Sequence, residues 1–232
     1  MPYLKQQDTQ PESLSCRILT AALDLFVQQG FHNISIHEIQ RQAQVSIGSI
    51  YNHFGGKEGI ARALYQHLLN ELDELIDDAL THYATPTQQY QRIISDLFHY
   101  TETHSNMIAF LFHTHHADFL PDEPQLSESL AFQKMQSIIK NGITNGDFRK
   151  GDEIIAFSIL FGSAIQIIQG RLENKISTPL PDYLEEFFST LQNTIILKSE
   201  NFSSNKHHEL ETGFKIPLKK TTKLCANTSW TG

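Results

Sequence analysis

The chain has 232 residues, 18 Lys+Arg against 26 Asp+Glu, and a formal net charge of −8. That length makes one large domain or two small ones, and such a chain buries roughly 70–75% of its unfolded surface. Two distant cysteines, Cys16 and Cys225, exclude a disulfide framework and fit a reducing compartment, and the overall acidity argues mildly against a nucleic-acid partner.

The charge is unevenly distributed. Residues 1–66 carry five basic and five acidic side chains, residues 67–199 eight and eighteen, and residues 200–232 five and three. The acidity therefore belongs to the middle of the chain, and the three segments face different surroundings.

Residues 1–13 are polar, lack the apolar core of a secretory signal, and read as an N-terminal arm of a cytoplasmic protein. From Leu14, apolar residues recur at helical spacing through Ile18, Leu19, Ala22, Leu25 and Phe26. Gly30 supplies a left-handed C′ position, with Phe31 beyond it. Ser35-Ile36-His37-Glu38 is a capping box that opens a short helix carrying Ile39 and Ala43 inward. Ser46 caps another, Ile47 to His53. Pro86 stands at a first helical position, followed by a stripe of Tyr90, Ile93, Ile94, Leu97, Phe98 and Thr101. Further helices are expected at about 57–82, 106–119, 127–145, 152–174 and 181–200. Nine helices and no convincing strand predict an all-α protein.

From Ile154 to Gly170 no residue is charged. About 17 residues is the lower limit for a membrane span, but Ser158, Ser163, Gln166 and Gln169 interrupt the run and no second candidate exists, so no membrane is expected. The last thirty or so residues are poor in apolar groups and rich in Lys, Ser, Thr and Asn, so 200–232 reads as a disordered tail.

The two short helices, Ser35–Ala43 and Ser46–His53, are joined by Gln44-Val45. That spacing makes a helix-turn-helix, whose second helix can enter a DNA major groove. Ile39, Ala43, Val45, Ile50 and Phe54 can bury together. Ile47, Gly48, Ser49, Tyr51, Asn52 and His53 then point outward. Small side chains at Gly48 and Ser49 permit close approach, while Tyr51, Asn52 and His53 can donate hydrogen bonds. The bland alternative is a helical hairpin with an ordinary polar face.

The stretch from Arg17 to Leu69 resembles the N-terminal domain of TetR-family transcriptional regulators. Its matching pieces are Ala21-Ala22…Leu25-Phe26…Gly30-Phe31, Ser35-Ile36…Glu38-Ile39, and Val45-Ser46…Gly48-Ser49-Ile50-Tyr51-Asn52-His53-Phe54…Lys57-Glu58. The resemblance implies a dimeric, nine-helix regulator: a helix-turn-helix domain at 14–66 and a ligand-binding and dimerisation domain at 67–199. It implies that Ser46 to His53 form the recognition helix, that Tyr51, His53 and Lys57 grip phosphates, and that Ser35 and His37 reach phosphate or a base edge. Phosphate contacts fix register and groove contacts carry sequence information, so Ser49 and Asn52 are the candidates for readout, with Ile47 against a thymine methyl. Two positions depart from the family pattern. Gln40 stands where a small Ala is usual, and Gln44 replaces the turn Gly, forcing a conformation glycine adopts more cheaply.

In the second half, Phe98, Tyr100, Met107, Phe110, Phe112, Phe132, Met135, Phe157 and Phe161 are mostly core by spacing. The resemblance makes Phe98, Met107, Phe110, Phe132, Met135, Phe157 and Phe161 the candidate walls of an effector pocket. It also makes the helices at about 152–174 and 181–200 the dimerising pair, with a near-palindromic operator as partner. His113, His115, His116 and Asp118 look like a metal cluster, but on a helix they divide between two faces, so no metal is expected. No nucleophile elbow, P-loop, dinucleotide fingerprint or paired zinc motif occurs, and neither enzymatic activity nor a cofactor is expected. The rival reading is a helical ligand-binding protein or a metal-assisted enzyme using the His113–Asp118 region.

Overall fold

The computed structural model describes residues 13–197, so the N-terminal arm and the tail at 200–232 lie outside the described residues. Nine helices are present among them: α1 (Leu14–Gln29), α2 (Ile36–Ala43), α3 (Ile47–Phe54), α4 (Lys57–His82), α5 (Pro86–Thr103), α6 (Ser105–His113), α7 (Leu130–Asn145), α8 (Glu153–Leu172) and α9 (Leu184–Gln192). The capping residues read from the sequence start α2 and α3. Ser35 and Glu38 form both halves of their capping box, and Ser46 accepts from the Ser49 N–H. Thr85 caps α5 with Pro86 in its first turn.

Three expected helices are shorter than their stripes. The one placed at 106–119 ends at His113, because the chain turns extended at Thr114 and then enters a 3-10 turn, His116–Asp118, that buries His116 and leads Leu120 into the core. The one placed at 127–145 begins only at Leu130, where Ser129 caps it after another 3-10 turn. The one placed at 181–200 stops at Gln192 so that Ile195 and Ile196 can bury, and Ile196 makes an isolated antiparallel bridge with Phe148. At the first and last of these, burial of Leu120, Ile195 and Ile196 outweighs continued helical propensity, whereas at the second the Ser129 cap sets the start. Gly30 does take a positive φ of 82°, but its ψ of 148° lies outside the left-handed turn region, and the chain continues directly into a 3-10 turn, Phe31–Asn33.

The N-terminal three helices pack around α1, whose Ile18, Leu19, Ala22 and Phe26 are buried against Ile39, Ala43 and Ile50. Helix α4, about 39 Å long at 1.5 Å per residue, runs from this head into the rest of the molecule. Its first turns bury Ile60, Ala61, Leu64 and Tyr65, and its last turns bury Leu72, Ile76 and Ala79. Helix α5 is the axis of the body and packs against α4, α6, α7 and α8. On it, the fully buried Tyr90 donates its hydroxyl to the Leu160 carbonyl at 3.0 Å, surrounded by Phe148, Phe161 and Phe188. That carbonyl lies in a π-helical turn, Ser158–Gly162, which interrupts α8. The far end of α8 is tied to α5 by a two-pronged Arg171–Glu102 pair at 2.9 and 2.8 Å.

Helix α8 coincides with the uncharged run, and it alone among the described residues has the length and apolarity of a membrane span. Its buried face, Ala156, Leu160, Phe161, Ala164 and Ile168, packs into the body. Its other face leaves Ile154, Ile155 and Ile159 exposed, at 76%, 61% and 38%. By contrast, the exposed positions of α9 are Glu185, Glu186, Ser189 and Thr190.

Candidate nucleic-acid interface

The head presents α3 on its surface. Ile50 is fully buried and Phe54 half-buried, while Gly48, Tyr51, Asn52 and His53 are exposed and Ile47 and Ser49 are partly so. Ser35, His37 and Ser46 are exposed as well. Nine of the ten expected contact residues are therefore exposed or partly exposed. Ser46 Oγ accepts the Ser49 N–H and lies 2.8 Å from Ser49 Oγ, so both hydroxyls are held at the start of the helix. An exposed helix N-terminus with placed hydroxyls and a Tyr-Asn-His run is suited to phosphate and base-edge contacts.

Lys57, the tenth, is differently engaged. Its ammonium donates to the carbonyls of Phe31 and Ile34 at 3.0 and 2.9 Å and lies 4.2 Å from the Phe31 ring centroid. Two of its three N–H groups are thus spent on the chain leading into α2. This inward role was not legible from the resemblance, because the carbonyls it meets lie 23 and 26 residues away.

Between α3 and α4 the backbone passes very close. A Cβ built on Gly59 would stand 1.7 Å from the Phe54 carbonyl oxygen, so no other residue fits there without moving one helix. Gly59 is a residue the sequence reading missed. Its signal was a glycine in the first turn of an otherwise regular helix, where backbone approach is the usual reason.

The turn between α2 and α3 explains both departures from the family pattern. Gln44 does take the left-handed conformation, φ 54° and ψ 49°. The Gln40 side chain donates to the Val45 carbonyl at 2.9 Å, a hydrogen bond that a small Ala at this position cannot make. Arg17 reaches across from α1 to donate to the carbonyls of Ala43 and Gln44, both at 2.6 Å.

The head meets the body through aromatic rings. Phe119 stacks on Phe31 at 4.3 Å and 13°, and Phe110 lies 6.3 Å from Phe26. Asn106 donates to Asp24, while Arg62 and Gln66 on α4 both reach Glu123. His116 stacks on Tyr65 at 4.1 Å with Phe110 and Phe119 beside it, and its Nε2 is buried without a partner. Burial in this cage lowers its pKa to about 4.

Of the seven candidate pocket residues, Phe132, Phe157 and Phe161 come together, with ring separations of 4.7 and 5.2 Å. Met135 and Phe98 are buried, and Phe98 packs on Phe187; Met107 is partly buried. Phe110 is not with them: it faces the head–body junction. The histidine-rich segment is likewise split, since His113 and His115 are exposed whereas His116 is buried.

A short helix pair whose second member is exposed, polar and fixed by caps defines a helix-turn-helix DNA-binding regulator. Residues 18–64 match the family model of bacterial regulatory proteins, tetR family. The fatty acid metabolism regulator protein of Bacillus subtilis (strain 168) is 23% identical over 150 residues, spanning 63% of this chain and 77% of that protein. Among solved structures, the ketosteroid transcriptional regulator KstR2 of Mycobacterium tuberculosis superimposes with a TM-score of 0.63 at 18% identity, over 82% of this chain and 98% of its own. The regulator FadR from Bacillus subtilis in complex with stearoyl-CoA gives 0.59 at 21% identity, over 75% and 96%. These two likenesses establish a shared fold.

Proposed function

We propose that the chain is a cytoplasmic, homodimeric repressor that binds a near-palindromic operator and releases it when an effector occupies the body. The observation that carries this reading is the exposed Ser46–His53 surface on a rigidly capped head. In this reading residues 14–66 form the DNA-binding domain and 67–199 the effector and dimerisation domain. Ser49, Asn52 and Ile47 read bases, Tyr51 and His53 hold phosphates, Ser35 and His37 reach phosphate or a base edge, and the small side chains of Gly48 and Ser49 allow close approach. A second copy covers Ile154, Ile155 and Ile159, since a contiguous exposed apolar face on one helix is a docking surface. The two copies then place their recognition helices one helical turn of DNA apart, about 34 Å.

The effector we infer has a long apolar portion. Phe132, Phe157 and Phe161 supply an aromatic interior between α7 and α8, and the relatives include a fatty acid metabolism regulator and a stearoyl-CoA complex. Its action is a population shift: it favours a head spacing that no longer matches successive grooves, by no more than its difference in affinity for the two states.

The test is a binding titration on the DNA flanking the gene, at low salt, with and without stearoyl-CoA. Saturable binding that stearoyl-CoA weakens supports the reading; absence of binding at low salt overturns it. In the same assay Asn52→Ala is expected to relax the preference at one operator position by about 1–3 kcal/mol, seen in a base-by-base scan.

A further inference from the structure

Five backbone carbonyls around the α2–α3 turn, those of Gln40, Arg41, Ala43, Gln44 and Val45, have identifiable partners, and three of them are met by side chains. The turn closes with the Gln44 N–H on the Arg41 carbonyl and the Val45 N–H on the Gln40 carbonyl, both at 3.2 Å. This is the pairing of a Schellman motif, which glycine normally completes because its left-handed position carries no Cβ penalty. Here Gln44 occupies that position at φ 54°. The carbonyls of Ala43, Gln44 and Val45 are taken by side chains: the first two by one guanidinium nitrogen of Arg17, the third by the Gln40 amide. Immediately afterwards comes Ser46, the N-cap of the recognition helix. The direction in which α3 leaves the turn is therefore set by a clamp anchored on α1.

We propose that Arg17 is a positioning residue for DNA reading, fixing the angle of the recognition helix through the Ala43 and Gln44 carbonyls and, together with Gln40, doing for this chain what a turn glycine does elsewhere. The inference rests on the DNA-binding reading above. It assigns Arg17 no contact with DNA, although Arg17 is one of only five basic residues in the first 66. Loss of the clamp lets α3 tilt. Contacts that need placed geometry, those to base edges, then suffer more than diffuse attraction to phosphates.

The experiment uses the full chain and two probes: a duplex enriched by the wild-type protein from a random-sequence pool, and a duplex of unrelated sequence. Arg17→Ala is expected to weaken binding to the enriched duplex about tenfold, to change binding to the unrelated duplex less than twofold, and to leave the salt slope unaltered. Arg17→Lys keeps the charge but not the flat donor pair, and is expected to show the same loss of selectivity. Gln40→Ala is expected to lose about threefold in the same sense. Adding Gln44→Gly to Arg17→Ala is expected to restore most of the selectivity, because glycine holds the turn unaided. A salt slope shallower by about one unit, with affinity kept by Arg17→Lys and no rescue by Gln44→Gly, makes Arg17 a phosphate contact and overturns the proposal. Selectivity unaffected in Arg17→Ala overturns it also. A wild-type chain that enriches no sequence overturns the DNA-binding reading itself, and this inference with it.

Discussion

The head and the body solve opposite surface problems. The head exposes polar groups on short helices, and each helix is fixed by a named device: a capping box on α2, a serine cap on α3, a clamp on the turn between them. The body, with a large excess of acidic residues, nevertheless exposes isoleucines on α8. Polar display with tight backbone control suits a surface that must match a rigid, charged partner. An apolar face amid acidic surroundings suits a partner of the same chain, and the acidity keeps the body away from a polyanion. The whole-chain charge of −8, which argued against DNA, averages these two surfaces and describes neither.

The contrast can be broken hardest at Gly59. Gly59→Ala puts a methyl into the Phe54 carbonyl, so α3 and α4 cannot keep their packing. A loss of about 3 kcal/mol in thermal or denaturant unfolding is expected, together with loss of DNA binding. Unchanged binding means that α3 does not need its present seat. On the body, Ile155→Asp is expected to yield monomers in sedimentation while leaving the far-ultraviolet circular dichroism intact, and to cut operator affinity more than a hundredfold. A dimer that survives the change places the interface elsewhere.

At the junction the expected effect is smaller and depends on pH. His116 is neutral in its aromatic cage, with a folded pKa of about 4 against 6.5 for the free side chain. As pH falls below 6.5 the unfolded chain takes up a proton that the folded chain refuses, so stability is lost down to about pH 4. His116→Phe keeps the stacking on Tyr65 and removes both the titration and the orphaned Nε2. It is expected to raise the melting temperature, and by more at pH 5 than at pH 7.5; an equal gain at both values contradicts the assigned protonation. The smallest effect is at Lys57. Lys57→Ala removes the two carbonyl contacts and the contact with Phe31, and a fall of a few degrees in melting temperature is expected with little change in salt slope. A slope shallower by about one unit, with melting unchanged, returns Lys57 to phosphate binding.

Much of this was readable from local chemistry. Capping boxes, Pro86 and the apolar stripes depend on neighbours three or four residues away, so nine helices and the outward face of α3 followed from spacing. The left-handed Gln44 was foreseeable only through the resemblance, since it stands where the family has its turn glycine. What escaped depends on distance along the chain. Arg17 caps carbonyls 26 and 27 residues on, and Phe119 finds Phe31 across nearly ninety positions. The same long-range packing ended α6 at His113 and separated Phe110 from the other candidate pocket aromatics. Helical period shows that a residue is buried, but not which element buries it.

The central claim is that two copies read two half-sites in fixed register. It is tested most directly by measuring affinity for an enriched duplex and for the same duplex with five base pairs inserted at its centre. The insertion turns one half-site to the opposite side of the helix, so a rigid dimer engages only one, and a loss of at least a hundredfold is the result this account requires. Equal affinity for the two duplexes contradicts it.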